Sequence, residues 1–143
     1  MLARLIYASE TAGDLNAQLI AGLLEEARAN NNRRDLTGLL LFDHHHFMQV
    51  LEGDREVLNE LYGKLQRDSR HKHVVLLNFE DIPHRQFGSW AMGYAAVNAT
   101  TAHILLRHGV SRRFEPHSFA GTRALHILLE MSRLLAPEVS CSD

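Results

Sequence analysis

A single cysteine, Cys141, stands near the end of the 143-residue chain, which excludes a disulfide framework and a thiolate metal site. No apolar run approaches the roughly 18 residues of a membrane span. The N-terminus enters a strand pattern directly instead of a signal peptide, so a soluble, cytoplasmic protein without a membrane partner is expected. Charge of one sign is also lacking. Fifteen Lys and Arg face 17 Asp and Glu, for a net charge of −2 and a pI near 6.5, which gives no electrostatic footprint for nucleic acid or an anionic membrane. Repeats, low-complexity tracts and long linkers are absent. What is present is 45% hydrophobic content, enough for an ordinary globular domain with a core.

Histidine is abundant, with ten residues, most of them single in polar segments where they read as solvated surface. The run Asp43-His44-His45-His46 has ligand chemistry, but neighbours in a hairpin turn rarely converge on one ion, and no metal site is expected.

The pattern of apolar residues sets the order of elements. Leu2 to Ser9 alternates at strand length, and Gly13-Asp14 is a turn with an N-cap residue. Leu15, Leu19, Ile20, Leu23, Leu24 and Ala27 follow at helical spacing. That helix should fray through Asn30-Asn31-Asn32, since asparagine favours helix ends. Leu36 to Phe42 and His46 to Glu52 form a hairpin. A helix opened by Gly53-Asp54 carries Val57, Leu58, Leu61 and Leu65 on one face. Val74 to Phe79 is a strand, and Ser89 to Val97 is the last one. The fold class is α+β, a ferredoxin-like β-α-β-β-α-β-β sheet with two helices on one face. Thr100 to Val110 and Phe119 to Leu135 add a C-terminal helical extension whose apolar stripe must cover the other sheet face or a partner chain. Gly121 weakens the start of its second helix. Residues 1–98 are expected to form one domain and 99–143 the appendage.

Four residues carry chemistry. Tyr7, Gln49, Trp90 and Met92 each sit in a short apolar stretch that reads as strand. By strand parity Leu5, Tyr7 and Ser9 share a face, as do Phe47, Gln49 and Leu51, and as do Trp90, Met92 and Tyr94. An unpaired buried amide costs roughly 1–3 kcal/mol. Gln offers two donors and two lone pairs, more than one phenol satisfies. Either each side chain is satisfied locally in a core, or a ligand with a polar edge completes the set.

The chain resembles the BLUF family, blue-light receptors that bind flavin in a ferredoxin-like domain. The resemblance runs from about Leu2 to Val97 and rests on five segments in order. These are Arg4-Leu5-Ile6-Tyr7-Ala8-Ser9; Asn30-Asn31 with Leu36-Thr37-Gly38-Leu39-Leu40; Phe47-Met48-Gln49-Val50-Leu51-Glu52-Gly53; Asp68-Ser69-Arg70-His71; and Phe87-Gly88-Ser89-Trp90-Ala91-Met92. It implies that Tyr7 is the electron donor to photoexcited flavin and that Gln49 bridges Tyr7 to the ring. It implies that Asn30 and Asn31 hold the ring's polar edge and that Leu23 and Leu65 sandwich the ring. Lys64, Asp68, Arg70 and His71 fall near the ribityl chain and phosphates, and Trp90 and Met92 on the strand that responds to light. FAD is the flavin the family implies, with FMN and riboflavin left open by the residues themselves. Asp35 stands where the family usually has glycine, and Lys64 where arginine is common. The expected role is a non-enzymatic photosensor that signals to a downstream protein partner, as a homo-oligomer. The competing reading is a constitutive interaction module of the same fold that has lost flavin or photochemistry.

Overall fold

Cross-strand register, more than any single element, organises this molecule. The computed structural model describes residues 1–88 and 90–140; Ser89, residues 141–143 (Cys141 among them) and the side chains of 136–140 lie outside the described residues. The elements are β1 (Leu2–Thr11), α1 (Ala17–Arg34), β2 (Thr37–Phe42), β3 (His46–Asp54), α2 (Arg55–Arg67), β4 (His71–Asp81), β5 (Gly93–Ala96), α3 (Ala99–His108), a 3-10 turn (Pro116–Ser118) and α4 (Gly121–Ser140). The sheet order is β4-β1-β3-β2-β5. The first four strands pair antiparallel, and β5 adds parallel to β2. This is the ferredoxin-like arrangement with one extra strand. No helix of the described residues is long and apolar enough to cross a membrane.

Strand parity separates two cores. On one face Leu5, Tyr7, Leu40, Phe47 and Leu51 meet Ile20 and Leu24 of α1 and Leu58 of α2. On the other, Ile6, Leu39, Leu41, Met48 and Val50 meet Ile104 and Leu105 of α3 and Ala124, Ile127, Leu128 and Met131 of α4. The C-terminal helices therefore cover the second sheet face. Ile127, Leu128 and Met131 are fully buried, and each such side chain contributes about 1.5–3 kcal/mol.

Several boundaries differ from the sequence reading. Helix α1 does not fray at its asparagines; it runs to Arg34 and stops at Asp35, whose φ of 56° is left-handed and whose N–H bonds the Asn31 carbonyl. Asp tolerates that conformation, and Arg33 and Arg34 in the last turn suit the helix dipole. The N-cap is Asn16, accepting from Leu19 N at 2.8 Å, not Asp14. Strand β4 is longer than expected because two bulges let it follow β1, at the register shifts opposite Ile6/Tyr7 and Ala8/Glu10. The last strand is shorter. Gln86, Phe87, Ala91 and Met92 are held by side chains and the Trp90 carbonyl by the Gly38 N–H, so regular alternation fails there, and Trp90 packs in the α3/α4 core while Met92 packs in the α1/α2 core. Gly121 has a positive reason to be small: a Cβ there would lie 2.2 Å from the Leu77 carbonyl oxygen at one of the bulges.

The segment before β5 hangs on a buried ion pair. Arg4 Nη2 lies 3.0 Å from Glu52 Oε2, with both side chains almost fully buried, and Arg4 Nη1 reaches Glu80 at 2.9 Å. The other Glu52 oxygen accepts the backbone N–H groups of Gln86 at 2.9 Å and Phe87 at 2.7 Å. Removing one partner from a buried pair is costly because the remaining charge is left desolvated. Glu52→Ala is accordingly expected to lower the urea unfolding free energy by about 3–5 kcal/mol; a loss below about 1 kcal/mol, the scale of an exposed pair, would show that this pair does not support the fold.

Candidate functional site

Helices α1 and α2 diverge over the sheet and leave a cleft of about 1000 Å³, its open mouth included. Leu23, Leu24 and Ala27 form one wall and Leu61 and Leu65 the other. Tyr7, Leu40, Phe47, Gln49, Leu51 and Met92 form the floor, and Asn30, Asn31, Lys64, Asp68, Arg70, His71 and Glu26 the polar rim. Every site residue expected from sequence except Trp90 lines this cleft.

Tyr7 and Gln49 are direct partners in the β1–β3 register. The Tyr7 hydroxyl donates to Gln49 Oε1 at 2.5 Å, and Gln49 Nε2 donates to Met92 Sδ at 3.3 Å. A thioether is a weak acceptor, so the amide is under-satisfied by protein alone and retains a donor and a lone pair for the cleft. Burial, and secondarily the Asp68 carboxylate, pushes the Tyr7 phenol up, which keeps it protonated as the donor.

The rim is charged but internally paired. Arg70 bonds Asp68 at 2.7 Å and Glu26 of α1 at 3.0 Å, tying the α2–β4 connection to α1 across the mouth. The Arg70 hydrogen bond holds the Asp68 carboxyl down at about 2. His71 Nδ1 meets Ser9 Oγ at 3.0 Å, and its ring stands edge-on to Tyr7. Burial lowers the His71 pKa, so its ring is neutral. Lys64 lies on the outer rim, 3.6 Å from Glu60. Asn30 accepts from Arg33. Asn31 is buried and donates from Nδ2 to the Ala91 carbonyl at 2.6 Å.

The sequence reading missed Arg28, Arg85 and the Arg4–Glu52 pair. Arg28 Nε donates to the Met92 carbonyl at 3.1 Å, and its guanidinium lies over the Tyr94 ring. Together with Asn31 it fixes backbone 91–92 from the helix that lines the cleft. Arg85 bonds Thr37 Oγ1 at 2.8 Å and the carbonyls of Glu52 and Asp35 at 3.0 and 2.7 Å. A usable signal existed for Arg4 and Glu52: both are charges inside apolar strand runs, and they are register partners. Trp90 is the outlier. Its indole lies on the far side of the sheet, and its Nε1 is buried without a hydrogen-bond partner.

Comparison with known proteins places this geometry among light sensors. The family model described as "Sensors of blue-light using FAD" (BLUF) matches residues 2–93. The blue light- and temperature-regulated antirepressor BluF of Escherichia coli K12 is 37% identical over 92 residues, covering 64% of this chain and 23% of that protein. Photoactivated adenylate cyclase subunit beta of Euglena longa is 30% identical over 108 residues, 74% of this chain and 13% of the relative. The chain thus spans under a quarter of the length of these relatives. Among solved structures, the photo-activated state of BlsA superposes with a TM-score of 0.79 at 31% identity, covering 91% of this chain and 94% of that one. The dark state of BlrB gives 0.72 at 26% identity, covering 90% and 92%.

The Asp68 carboxyl, lowered from its ordinary 3.8 to about 2, adds stability that is complete above the higher value and is lost as pH falls through the lower one. Unfolding of the wild type and of Asp68→Asn should therefore differ at neutral pH and converge on acidification towards 2. A difference that persists at the acid end contradicts the pairing with Arg70.

Proposed function

The chain belongs to the BLUF family of blue-light sensors, and on that premise we propose that Tyr7 and Gln49 are its photochemical pair and that the segment around Met92 carries the signal. FAD is the family's chromophore. The cleft fits a flat ring with one polar edge: its walls are aliphatic, and the Gln49 amide keeps hydrogen-bonding capacity that only a polar ligand can take up. Leu23 and Leu65 would flank the ring, Asn30, Asn31 and Gln49 would meet its polar edge, and Lys64, Asp68, Arg70 and His71 would surround the chain that leads out of the mouth. Arg70 shares its charge with two carboxylates, so Lys64 is the freer cation for a phosphate.

Bound flavin absorbs blue light and, once excited, accepts an electron from a nearby donor. The Tyr7–Gln49 contact is the observation that carries the proposal, because it sets a phenol against an amide with nothing between them. Tyr7 can give up an electron to the bound ligand and then, through Gln49 Oε1, the proton it shares with that oxygen; the proton returns to the phenol when the electron does. With that donor gone, the amide is free to turn and exchange acceptor for donor on the cleft side. Turning it also breaks the Nε2 contact to Met92 Sδ. Met92 is two residues from Trp90, which packs against the α3/α4 core, so a change at Gln49 has a short route to the C-terminal helices. That route rests on contact alone.

We divide the chain into a flavin-binding part, 1–98, and an output part, 99–143, whose altered contacts engage a protein partner or further copies of the chain. The output is read as contact rather than catalysis because the residues beyond the family match form helices packed on the sheet. A cytoplasmic location agrees with the balanced charge. The rival reading, a constitutive module without photochemistry, is disfavoured by the intact and bonded Tyr7–Gln49 pair.

Purified protein should show a flavin spectrum that moves slightly to the red under blue light and returns in darkness. Tyr7→Phe should bind flavin with a normal spectrum yet form no red-shifted state, and normal photocycling by that variant sinks the assignment of Tyr7. Amide exchange compared in dark and light should change within 99–135; identical protection there would remove the proposed output route.

A further inference from the structure

The sheet face opposite the cleft holds a group of ligating side chains that light sensing does not use. Glu10 lies at the end of β1 with its side chain alternating away from Tyr7 and Ser9. His45 comes from the β2–β3 turn, His46 from the start of β3, His73 from β4, and His117 from the 3-10 turn that precedes α4. His45 and His46 reach Glu10 as sequence neighbours. Glu10, His73 and His117 are far apart in sequence and are gathered by the fold: register sets His73 near Glu10, and the 3-10 turn brings His117 to both.

The geometry points to a divalent transition-metal site formed by Glu10, His73 and His117. Their ligand atoms all lie within 4.8 Å of one another. Glu10 Oε2 is 3.0 Å from His73 Nδ1, near the ligand–ligand spacing of about 3.3 Å that tetrahedral zinc bonds of 2.0–2.1 Å require. The His73 and His117 rings stack with centroids 4.1 Å apart and planes inclined by 7°; each nitrogen lone pair lies in its ring plane, so binding an ion turns one ring out of the stack. The His117 Nε2 hydrogen bond to the His73 carbonyl, at 2.7 Å, resembles the backbone bonds that orient metal-bound imidazoles.

Two features favour a ligand over a chance gathering. His73 has φ of 50° inside a strand, one of two non-glycine residues with positive φ among the described residues, and sits at the bulge between the Ala8 and Glu10 pairings. Bulges re-aim side chains, and left-handed conformations of non-glycine residues gather at functional sites. Glu10 is also contacted on both oxygens, by His45 at 3.1 Å and by His73 at 3.0 Å. An ionised carboxylate only accepts, so each ring points a proton at it. A cation replaces the His73 proton, which leaves to solvent or moves to the other ring nitrogen. Two imidazoles and one carboxylate suit zinc and its first-row neighbours better than calcium or magnesium. The fourth position is open to water. Such an ion joins β1 and β4 to the 3-10 turn and braces the lead into α4.

The test is calorimetric titration of Zn²⁺ into the flavin-loaded, tag-free full chain kept in the dark, with bound metal counted after dialysis. One Zn²⁺ per chain and a raised melting temperature are expected. Glu10→Gln and the double variant His73→Ala/His117→Ala should each weaken binding by at least the roughly 10–100-fold that even an outer-shell change costs. Flavin absorbance and circular dichroism check that each variant is folded; His73 and His117 are not buried, which favours that outcome. Absence of stoichiometric zinc overturns the proposal. So does full binding in the double variant with loss on His45→Ala/His46→Ala, which would move the ion to the hairpin turn. None of these readouts depends on photochemistry, so failure here leaves the light-sensing assignment standing.

Discussion

Pairing of β1 with β3 sets the Tyr7 phenol against the Gln49 amide where water is excluded, and most of the functional architecture is arranged around that pair. The register that joins them also joins Arg4 to Glu52 three pairs along the same ladder. The same ladder thus carries the proposed photochemical pair at one point and a structural ion pair at another. Both are buried polar contacts, and both are exacting because a lone member costs far more than the pair contributes. The structural pair is closed: Glu52 spends its oxygens on Arg4 and on two loop N–H groups. The Tyr7–Gln49 pair is open, since a thioether is all that the described residues offer the Gln49 amide nitrogen.

The segment between β4 and β5 translates the difference. It is tethered to the ladder at Gln86 and Phe87 through Glu52, and to the cleft-lining helix at Ala91 and Met92 through Asn31 and Arg28. Met92 lies on the cleft side of the sheet and Trp90 on the other. A few residues of non-ladder backbone therefore touch both cores, an arrangement that a regular strand, with its fixed alternation, does not give.

Much of this was legible in the sequence, for identifiable reasons. The strands carrying Tyr7 and Gln49 alternate cleanly, so their shared face followed from a two-residue period. The helices packed on the cleft side announced themselves by spacing. Legibility ended where side chains rather than ladders hold the backbone. The stretch 86–92 resembles a strand in composition, yet Glu52, Asn31 and Arg28 bind Gln86, Phe87, Ala91 and Met92 from elsewhere, and parity assigned Trp90 to the wrong face. The three asparagines looked like a helix end because the side-chain bonds of two of them, Asn30 with Arg33 on the same helix and Asn31 with the Ala91 carbonyl across the cleft, were not visible. The Glu10 cluster was concealed differently: Glu10, His73 and His117 lie on three separate elements, and the bulged course of β4 brings His73 beside Glu10.

The bare backbone of Gly121 against the Leu77 carbonyl has a mechanical meaning. With no side chain between them, helix α4 and strand β4 are at their closest approach, as a stop set hard against its seat. The helix start can slide along the strand or lift from it but cannot press further in. Inward movement of the α4 start is the one direction this contact closes.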